Sequence, residues 1–270
     1  MNEEIRMRNK KEDRKKLGIY LVILVCCTLG GGVIGAAIGF GEDTGFLNRL
    51  AETVTNALLS ASIYANLIMA VFTGIFSMIL QGKCRALFKI WNPDVDEEED
   101  RLLYRMNMMG NIQLLIVGIV QILMTMFMAL GFLQMDRQDL HIIGAETEVI
   151  CYWAGLVLCA VVVMTVQQKV VNFTKELNPE KQGSVFDKNF QKIWLESCDE
   201  AEKKAVYESA FASYKATTIA CIALWLICIC GNLTFDWGIP PVIMVTIIWL
   251  TSSVSYCIKA MQIEKTIIRK

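Results

Sequence analysis

The chain has 270 residues, of which 54% are hydrophobic and 20% are charged, and its 26 basic residues nearly balance its 27 acidic residues. Nucleic-acid binding requires a concentrated basic face, which this balance does not supply, so we expect no nucleic-acid partner. The sequence contains ten cysteines, which could form a disulfide scaffold, but their positions, described below, argue against one.

Charge-free stretches of at least 20 residues are the main feature of the sequence. Six of them lack Asp, Glu, Lys, Arg and His, and they cover residues 17–41, 53–82, 106–135, 149–168, 216–235 and 237–258. A helix rises about 1.5 Å per residue, so roughly 20 apolar residues cross a hydrocarbon core about 30 Å thick. The pattern predicts an all-α, multi-pass membrane protein with six spans in contact with the lipid bilayer.

Basic residues lie almost entirely on one side of the predicted spans. Twenty-four of the 26 fall in residues 1–16, 83–105, 169–215 and 259–270, which leaves only Arg49 and Arg137 for the other side. The positive-inside rule therefore predicts that both termini and the two long connections, 83–105 and 169–215, are cytoplasmic. Short loops join the spans on the other side, so we expect three hairpins within a single integral membrane domain, 1–270.

The first predicted span carries a face of small residues. Gly31, Gly35 and Gly39 recur every four residues, and such faces let helix backbones approach closely in lipid. No small-residue cleavage motif interrupts the stretch, so we expect a retained span rather than a signal peptide. The glycine face could pack within the same bundle or form a homodimer.

The cysteines are expected to remain thiols. Eight of the ten lie inside charge-free stretches, and the other two, Cys84 and Cys198, lie in the predicted cytoplasmic connections. None falls in an outside loop, where disulfides would form. The spacing of Cys228 and Cys230 fits neither a redox motif nor a zinc site.

The two long connections share a pattern that predicts an internal repeat. Each contains Asn-Pro followed by D-E-x-E-x-[KR]-x-[LV]-Y, which begins at Asp96 in the first copy and at Asp199 in the second. Proline disfavours the helical conformation of the preceding Asn, so a helix should end there. Asp96 with Glu99, and Asp199 with Glu202, have capping-box spacing. We expect a helix to start near each aspartate and to run into the next span.

The 169–215 connection contains two further helix signals. Residues 184–187 (Ser-Val-Phe-Asp) offer a helix start, and an apolar stripe follows at Phe186, Phe190, Ile193 and Trp194. A second amphipathic helix is expected from Asp199. Such helices could pack against their own bundle or dock a separate partner.

The run LNPEKQGSVFD at 177–187, continued by WLESCDEAE at 194–202, resembles an uncharacterised six-span membrane-protein family of Gram-positive bacteria that is known only as a domain of unknown function. The resemblance implies a bacterial plasma membrane and a single unit extending over nearly the whole chain. It implies no activity, ligand or catalytic residue.

The predicted spans contain few side chains that could take part in catalysis. No ionisable residue lies inside a charge-free stretch, and His141, the sole histidine, is placed in an outside loop. Serines in the spans have no base to activate them, and no phosphate-binding loop is present. We therefore expect no enzyme and predict no catalytic, cofactor-binding or metal-binding residue. Asn66 and Gln121 lie deep in their spans and could form interhelical hydrogen bonds or line a transport cavity.

Two functions remain open. The first is a non-enzymatic accessory or immunity-type membrane component that binds a cytoplasmic or membrane protein partner through residues 179–215. The alternative is a permease-like transport subunit that works with a separate ATPase. A mid-membrane polar path lined by Asn66 and Gln121 would favour transport, whereas a closed bundle would favour the accessory role.

Overall fold

The structure, a computed structural model, describes residues 46–91, 96–135, 144–235 and 237–268. Within these ranges all regular secondary structure is α-helical, and no strand is present. The described helices are α1 (Phe46–Ile90), α2 (Asp96–Met135), α3 (Ala145–Leu177), α4 (Phe190–Glu196), α5 (Glu200–Phe235) and α6 (Pro240–Ile268).

Five of these helices, all except α4, are long and apolar enough to cross a membrane. Four of them contain the charge-free stretches predicted as spans two to five, and α6 contains the sixth stretch from Pro240 onward. The first predicted span, 17–41, lies outside the described residues together with Gly31, Gly35 and Gly39. The six-span count, the three hairpins and the homodimer therefore stay predictions.

The last span begins three residues later than its charge-free stretch. Gly238 has a φ of 73°, a backbone conformation that glycine tolerates at low cost, and α6 then starts at Pro240. Proline suits the first position of a helix because its missing N–H would have no partner there. Gly238 and Pro240 together thus set where the last span begins.

Several helices continue well beyond their charge-free stretches. Helix α3 has 33 residues, so at about 1.5 Å per residue it is about 50 Å long, against about 30 Å for the hydrocarbon core. Helix α2 begins at Asp96, and α5 begins at Glu200, directly after Asp199. The prediction that helices start near the two aspartates and run into the next spans is confirmed.

The chain divides into two compact units. One comprises residues 53–206, here called the three-helix unit, and contains α1 from Thr53, α2, α3, α4 and the first turns of α5. The other, called the C-terminal unit, comprises the described residues from Tyr207 onward together with the start of α1 up to Glu52.

The three-helix unit packs around small and β-branched side chains in its middle. This core consists of Ala70, Val117, Val120, Cys159, Val163, Val166 and Val170. The α1 and α3 backbones approach closely at Gly155, where a Cβ atom would lie 2.9 Å from the backbone nitrogen of Leu67. Only glycine fits this crossing without a shift of one helix, since small residues are what allow helix backbones to meet in a membrane.

A second core of the three-helix unit lies where α1 ends, α2 begins and α3 ends. Its buried residues are Cys84, Met106, Phe173 and Leu177. Phe88 packs against the edge of Phe173, with ring centroids 5.8 Å apart. This core fastens the three helices together where they leave the charge-free stretches.

Within the C-terminal unit, aromatic rings join α5 to α6. Tyr214 and Tyr256 stack with centroids 4.7 Å apart, and Phe211 lies 6.5 Å from Tyr256. Near the turn between the helices, the Trp237 ring occupies the space that a side chain at position 231 would need, so only glycine fits there without a shift of the ring.

Candidate functional site

The connection between α3 and α5 begins with a sharp helix end. Asn178, the residue before Pro179, has φ −129° and ψ 90°, and its N–H still donates to the Thr174 carbonyl at 2.9 Å. The proline thus ends α3 as predicted. The chain turns at once, and the Lys181 N–H donates to the Asn178 carbonyl at 3.0 Å.

The predicted helix start at residues 184–187 is wrong. The Ser184 N–H donates to Asp187 Oδ2 at 2.7 Å, and the Asp187 N–H donates back to the Ser184 carbonyl at 2.9 Å. These bonds hold a turn rather than a helix, because short polar side chains compete for backbone groups. Helix α4 begins only at Phe190, so Phe186 leaves the predicted stripe and is 62% exposed.

Glycine is required just before this turn. Gly183 has a φ of 104°, and a Cβ atom there would lie 3.2 Å from the Phe190 ring. A side chain would therefore meet both backbone strain and a close contact. The Gln182 N–H donates to Ser197 Oγ at 3.2 Å, which ties the turn to the end of α4.

Lys181 is the centre of the connection. Its side chain is only 5% exposed, and its ammonium forms an ion pair and hydrogen bond with Glu202. The ammonium also donates to Cys198 Sγ at 3.3 Å and lies 5.9 Å from the centre of the Trp194 ring. The Lys181 ammonium thus contacts side chains from two helices, Trp194 of α4 and Glu202 of α5.

The charge on Lys181 is stabilised despite its burial. Burial alone would lower the pKa of the ammonium, but its hydrogen bonds to Glu202 and Cys198, together with the nearby charge of Glu202, raise the pKa above its ordinary value. Lys181 is therefore a cation at neutral pH.

A capping box starts α5. The Glu202 N–H donates to Asp199 Oδ1 at 2.7 Å, and the Asp199 N–H donates to Glu202 Oε2 at 3.0 Å. The predicted capping role of this pair is confirmed. The side chains of Asp96 and Glu99 lie outside the described residues, so the matching prediction for α2 and the internal repeat stay predictions.

A cleft of about 370 Å³ opens beside this cluster, between the start of α2, the end of α3 and the start of α5. Its polar lining includes Asn107, Asn111, Asn178, Lys181 and Glu202. Its apolar lining includes Met106, Leu114, Val170, Phe173 and Leu177. A half-enclosed cleft with both kinds of lining is suited to binding a small molecule.

The two deep amides singled out in the sequence are not brought together. Asn66 is 0% exposed, and among the described residues neither polar atom of its side-chain amide has a hydrogen-bond partner. Gln121 lies on the exposed side of α2, where its Oε1 accepts from Gln167 Nε2 at 3.4 Å. A different amide links α1 to α2, since Gln113 Oε1 accepts from Ser77 Oγ at 3.1 Å.

A buried acid was missed by the sequence reasoning. Glu148 is 2% exposed and lies in the first turn of α3, whereas the sequence placed it in an outside loop before the charge-free stretch 149–168. Helix α3 therefore begins before its charge-free stretch and includes a buried acid. The available signal was helical spacing, because Glu148, Tyr152, Gly155 and Cys159 recur at intervals of four and three on one face.

The cysteines and possible metal ligands can be stated only for the described ranges. The eight cysteines there are free thiols, and Cys84, Cys159, Cys198, Cys221 and Cys228 are buried. Across the same ranges no group of three or more His, Cys, Asp or Glu side chains could hold a metal ion.

The helices define the class of protein. Five are membrane-crossing by length and composition, and large apolar side chains along them are exposed, such as Ile68, Ile122 and Met244, each by more than 60%. Exposed apolar surface on this scale requires lipid rather than water around it. The chain is an integral membrane protein.

The comparisons then give the family. The model of the family described as "Protein of unknown function (DUF3169)" matches residues 14–260, and the chain belongs to this family. No curated protein and no solved structure matches the chain.

Proposed function

We propose that the protein is a non-enzymatic accessory or immunity-type component of a bacterial plasma membrane. Its termini and long connections face the cytoplasm, and it binds a protein partner through the 179–215 connection. The observation that carries this proposal is the exposed ring of Phe186, which is 62% accessible on a turn held by Ser184 and Asp187.

An exposed aromatic side chain on an ordered turn is a favourable binding anchor. The turn is tied to α4 through Gln182 and Ser197, and α5 is capped by Asp199, so little conformational entropy would be lost when a partner binds. Aromatic anchors also supply a large share of binding energy at protein interfaces. These features support docking of a partner better than packing within the bundle alone.

The transport alternative finds less support. The transport function depends on a polar path lined by both Asn66 and Gln121. Asn66 has no exposed surface, however, and Gln121 lies on the exposed face of α2, which points away from the core of the three-helix unit. The two side chains could line one path only after a rearrangement of the three-helix unit.

Site-specific photocrosslinking in cells tests the proposal. A photoreactive amino acid at position 186 should give one defined crosslinked protein, and the same protein should co-purify with the native chain. Phe186→Asp should abolish this co-purification, whereas Gln191→Asp, at another exposed position of the connection, should leave it intact. If both variants retain the partner, or if position 186 crosslinks only lipid, the proposal fails.

A further inference from the structure

The cleft crosses the boundary between the charge-free and charged parts of the three-helix unit. Asn107, Asn111 and Leu114 follow one another at helical spacing on α2, inside the charge-free stretch 106–135. Lys181 and Glu202, at the other end of the lining, lie outside every charge-free stretch. The cleft therefore runs from the level of the acyl chains to the level of the lipid headgroups.

The polar end of the cleft carries no net charge. The Lys181 cation is offset by the Glu202 carboxylate, with which it forms an ion pair. Phosphate recognition usually relies on an uncompensated cation, most often arginine. An anionic headgroup would have to approach the Glu202 carboxylate, at a cost in free energy.

Several hydrogen-bonding groups of the cleft remain available. The ammonium of Lys181 has three donors, of which Glu202 and Cys198 take two. Glu202 Oε2 accepts from Lys181 and from the Asp199 N–H, while Oε1 has no partner among the described residues. The side-chain amides of Asn107 and Asn111, which carry both donors and acceptors, also line the cleft. A ligand can therefore find both donors and acceptors here.

We propose that this cleft binds a lipid with an uncharged, hydroxyl-bearing headgroup. The hydroxyls lie near Lys181 and Glu202 and exchange hydrogen bonds with them and with the α2 amides. The acyl chain follows Gly110, Leu114 and Val170 towards the membrane. A wholly apolar occupant would displace water from these polar groups without replacing its hydrogen bonds, which is costly. This site goes beyond the partner-binding function and does not depend on it.

Photolabelling tests the site directly. The full chain would be placed in phosphatidylcholine nanodiscs with a monoacylglycerol that carries a diazirine beside its glycerol group. We expect labelled peptides to map to residues 106–114 and 170–181. Unlabelled mono-oleoylglycerol should compete, whereas phosphatidylglycerol should compete about tenfold less well because of the repulsion by Glu202. Labelling spread evenly along the lipid-facing helices, or equal competition by the two lipids, would overturn the proposal.

A charge variant at the cleft separates specific binding from partition into lipid. Glu202→Gln keeps a side chain that can complete the capping box but leaves the Lys181 cation uncompensated. This variant should let phosphatidylglycerol compete as well as mono-oleoylglycerol. Glu200→Gln is the matched control, because Glu200 lies in the same helical turn with a side chain that is 93% exposed, and it is not part of the cleft lining. If both variants behave alike, the cleft does not select the headgroup.

Discussion

At the scale of single residues, Lys181 shows how a charge is kept in a nearly buried position. Removing an ammonium from water costs several kcal/mol, and the cost is offset only where partners replace the lost hydration. Glu202 and Cys198 supply those partners, and the half-exposed carboxylate of Glu202 remains in contact with solvent. The cation thus joins the turn after α3 to the first turn of α5.

Removing this cation should loosen the connection. Lys181→Met keeps most of the side-chain volume but leaves the Glu202 carboxylate without its partner. We expect a loss of about 1–2 kcal/mol, less than for a fully buried pair because Glu202 is partly exposed. Hydrogen exchange of residues 178–202 measures the loss.

Lys192→Met is the control, because that side chain is 76% exposed and lies 3.8 Å from Glu196. This substitution should change the free energy of unfolding by no more than a few tenths of a kcal/mol. Equal effects of the two substitutions would contradict the role given to Lys181.

The raised pKa of Lys181 predicts how this contribution depends on pH. The pKa is higher in the folded chain than the ordinary value of 10.5, so the stabilisation is fully present below that value. It is lost as the pH rises through the higher pKa of the folded state. The difference in thermal midpoint between the native chain and Lys181→Met should therefore stay constant from about pH 7 to about pH 10 and shrink above that range. A difference that already shrinks near neutral pH would show that another group is responsible.

At the scale of elements, local signals and close contacts decide where the helices begin and how they pack. Asn178-Pro179 ends α3, and Asp199 with Glu202 starts α5, and both features could be read from neighbouring residues alone. The start of α4 could not be read from neighbouring residues, because the side chains of Ser184 and Asp187 can use the same atoms either to cap a helix or to close a turn. The positive φ of Gly183, with the Phe190 ring where a side chain at position 183 would lie, accompanies the turn.

The capping pair gives a prediction for α5. Asp199→Ala should destabilise the first turn by about 1 kcal/mol, because the Glu202 N–H loses its acceptor. Asp199→Ser should retain most of the stability, since serine is an equally good cap. Hydrogen exchange of residues 200–203 reports the difference. Unchanged protection in the alanine variant would mean that the cap adds nothing to the packing around Lys181.

The crossing of α1 and α3 gives a second prediction at this scale. Gly155→Ala would place a Cβ atom 2.9 Å from the Leu67 backbone nitrogen, so the helices must separate, at a cost of about 1–3 kcal/mol. Gly118→Ala is the control, because nothing lies within 4 Å of the added atom and alanine favours a helix. Thermal unfolding in detergent should show a lower midpoint only for the first variant. A lower midpoint in both would point to a general intolerance of larger residues.

At the scale of the whole molecule, the bilayer makes the fold largely predictable. Charge-free stretches located five membrane-crossing helices, because a helix is the simplest way to satisfy every backbone group in lipid. The cleft could not be predicted in the same way. Lys181 and Glu202 are 21 residues apart, and nothing local to either indicates the other. Glu148 was placed in a loop because the charge-free stretch begins after it, whereas the structure includes it in α3 and buries its side chain.

The distribution of basic residues predicts how the chain is oriented in the membrane. A cysteine introduced at Lys188, on the exposed surface of the 169–215 connection, should react with a membrane-impermeant maleimide only after the cells are permeabilised. A cysteine introduced at Arg137 should react in intact cells. The native chain supplies the background, since it carries its own thiols. Labelling of position 188 from outside would reverse the proposed topology.

The contact at Gly155 has a mechanical consequence for the cleft. Because no side chain separates the two backbones at Gly155, α3 cannot move against α1 at this level without a collision. The cleft is lined by residues of α2, of α3 and of the chain from Lys181 into α5, so α3 connects it to this crossing. A substitution that displaces α3 at Gly155 should therefore also displace the wall of the cleft that α3 supplies.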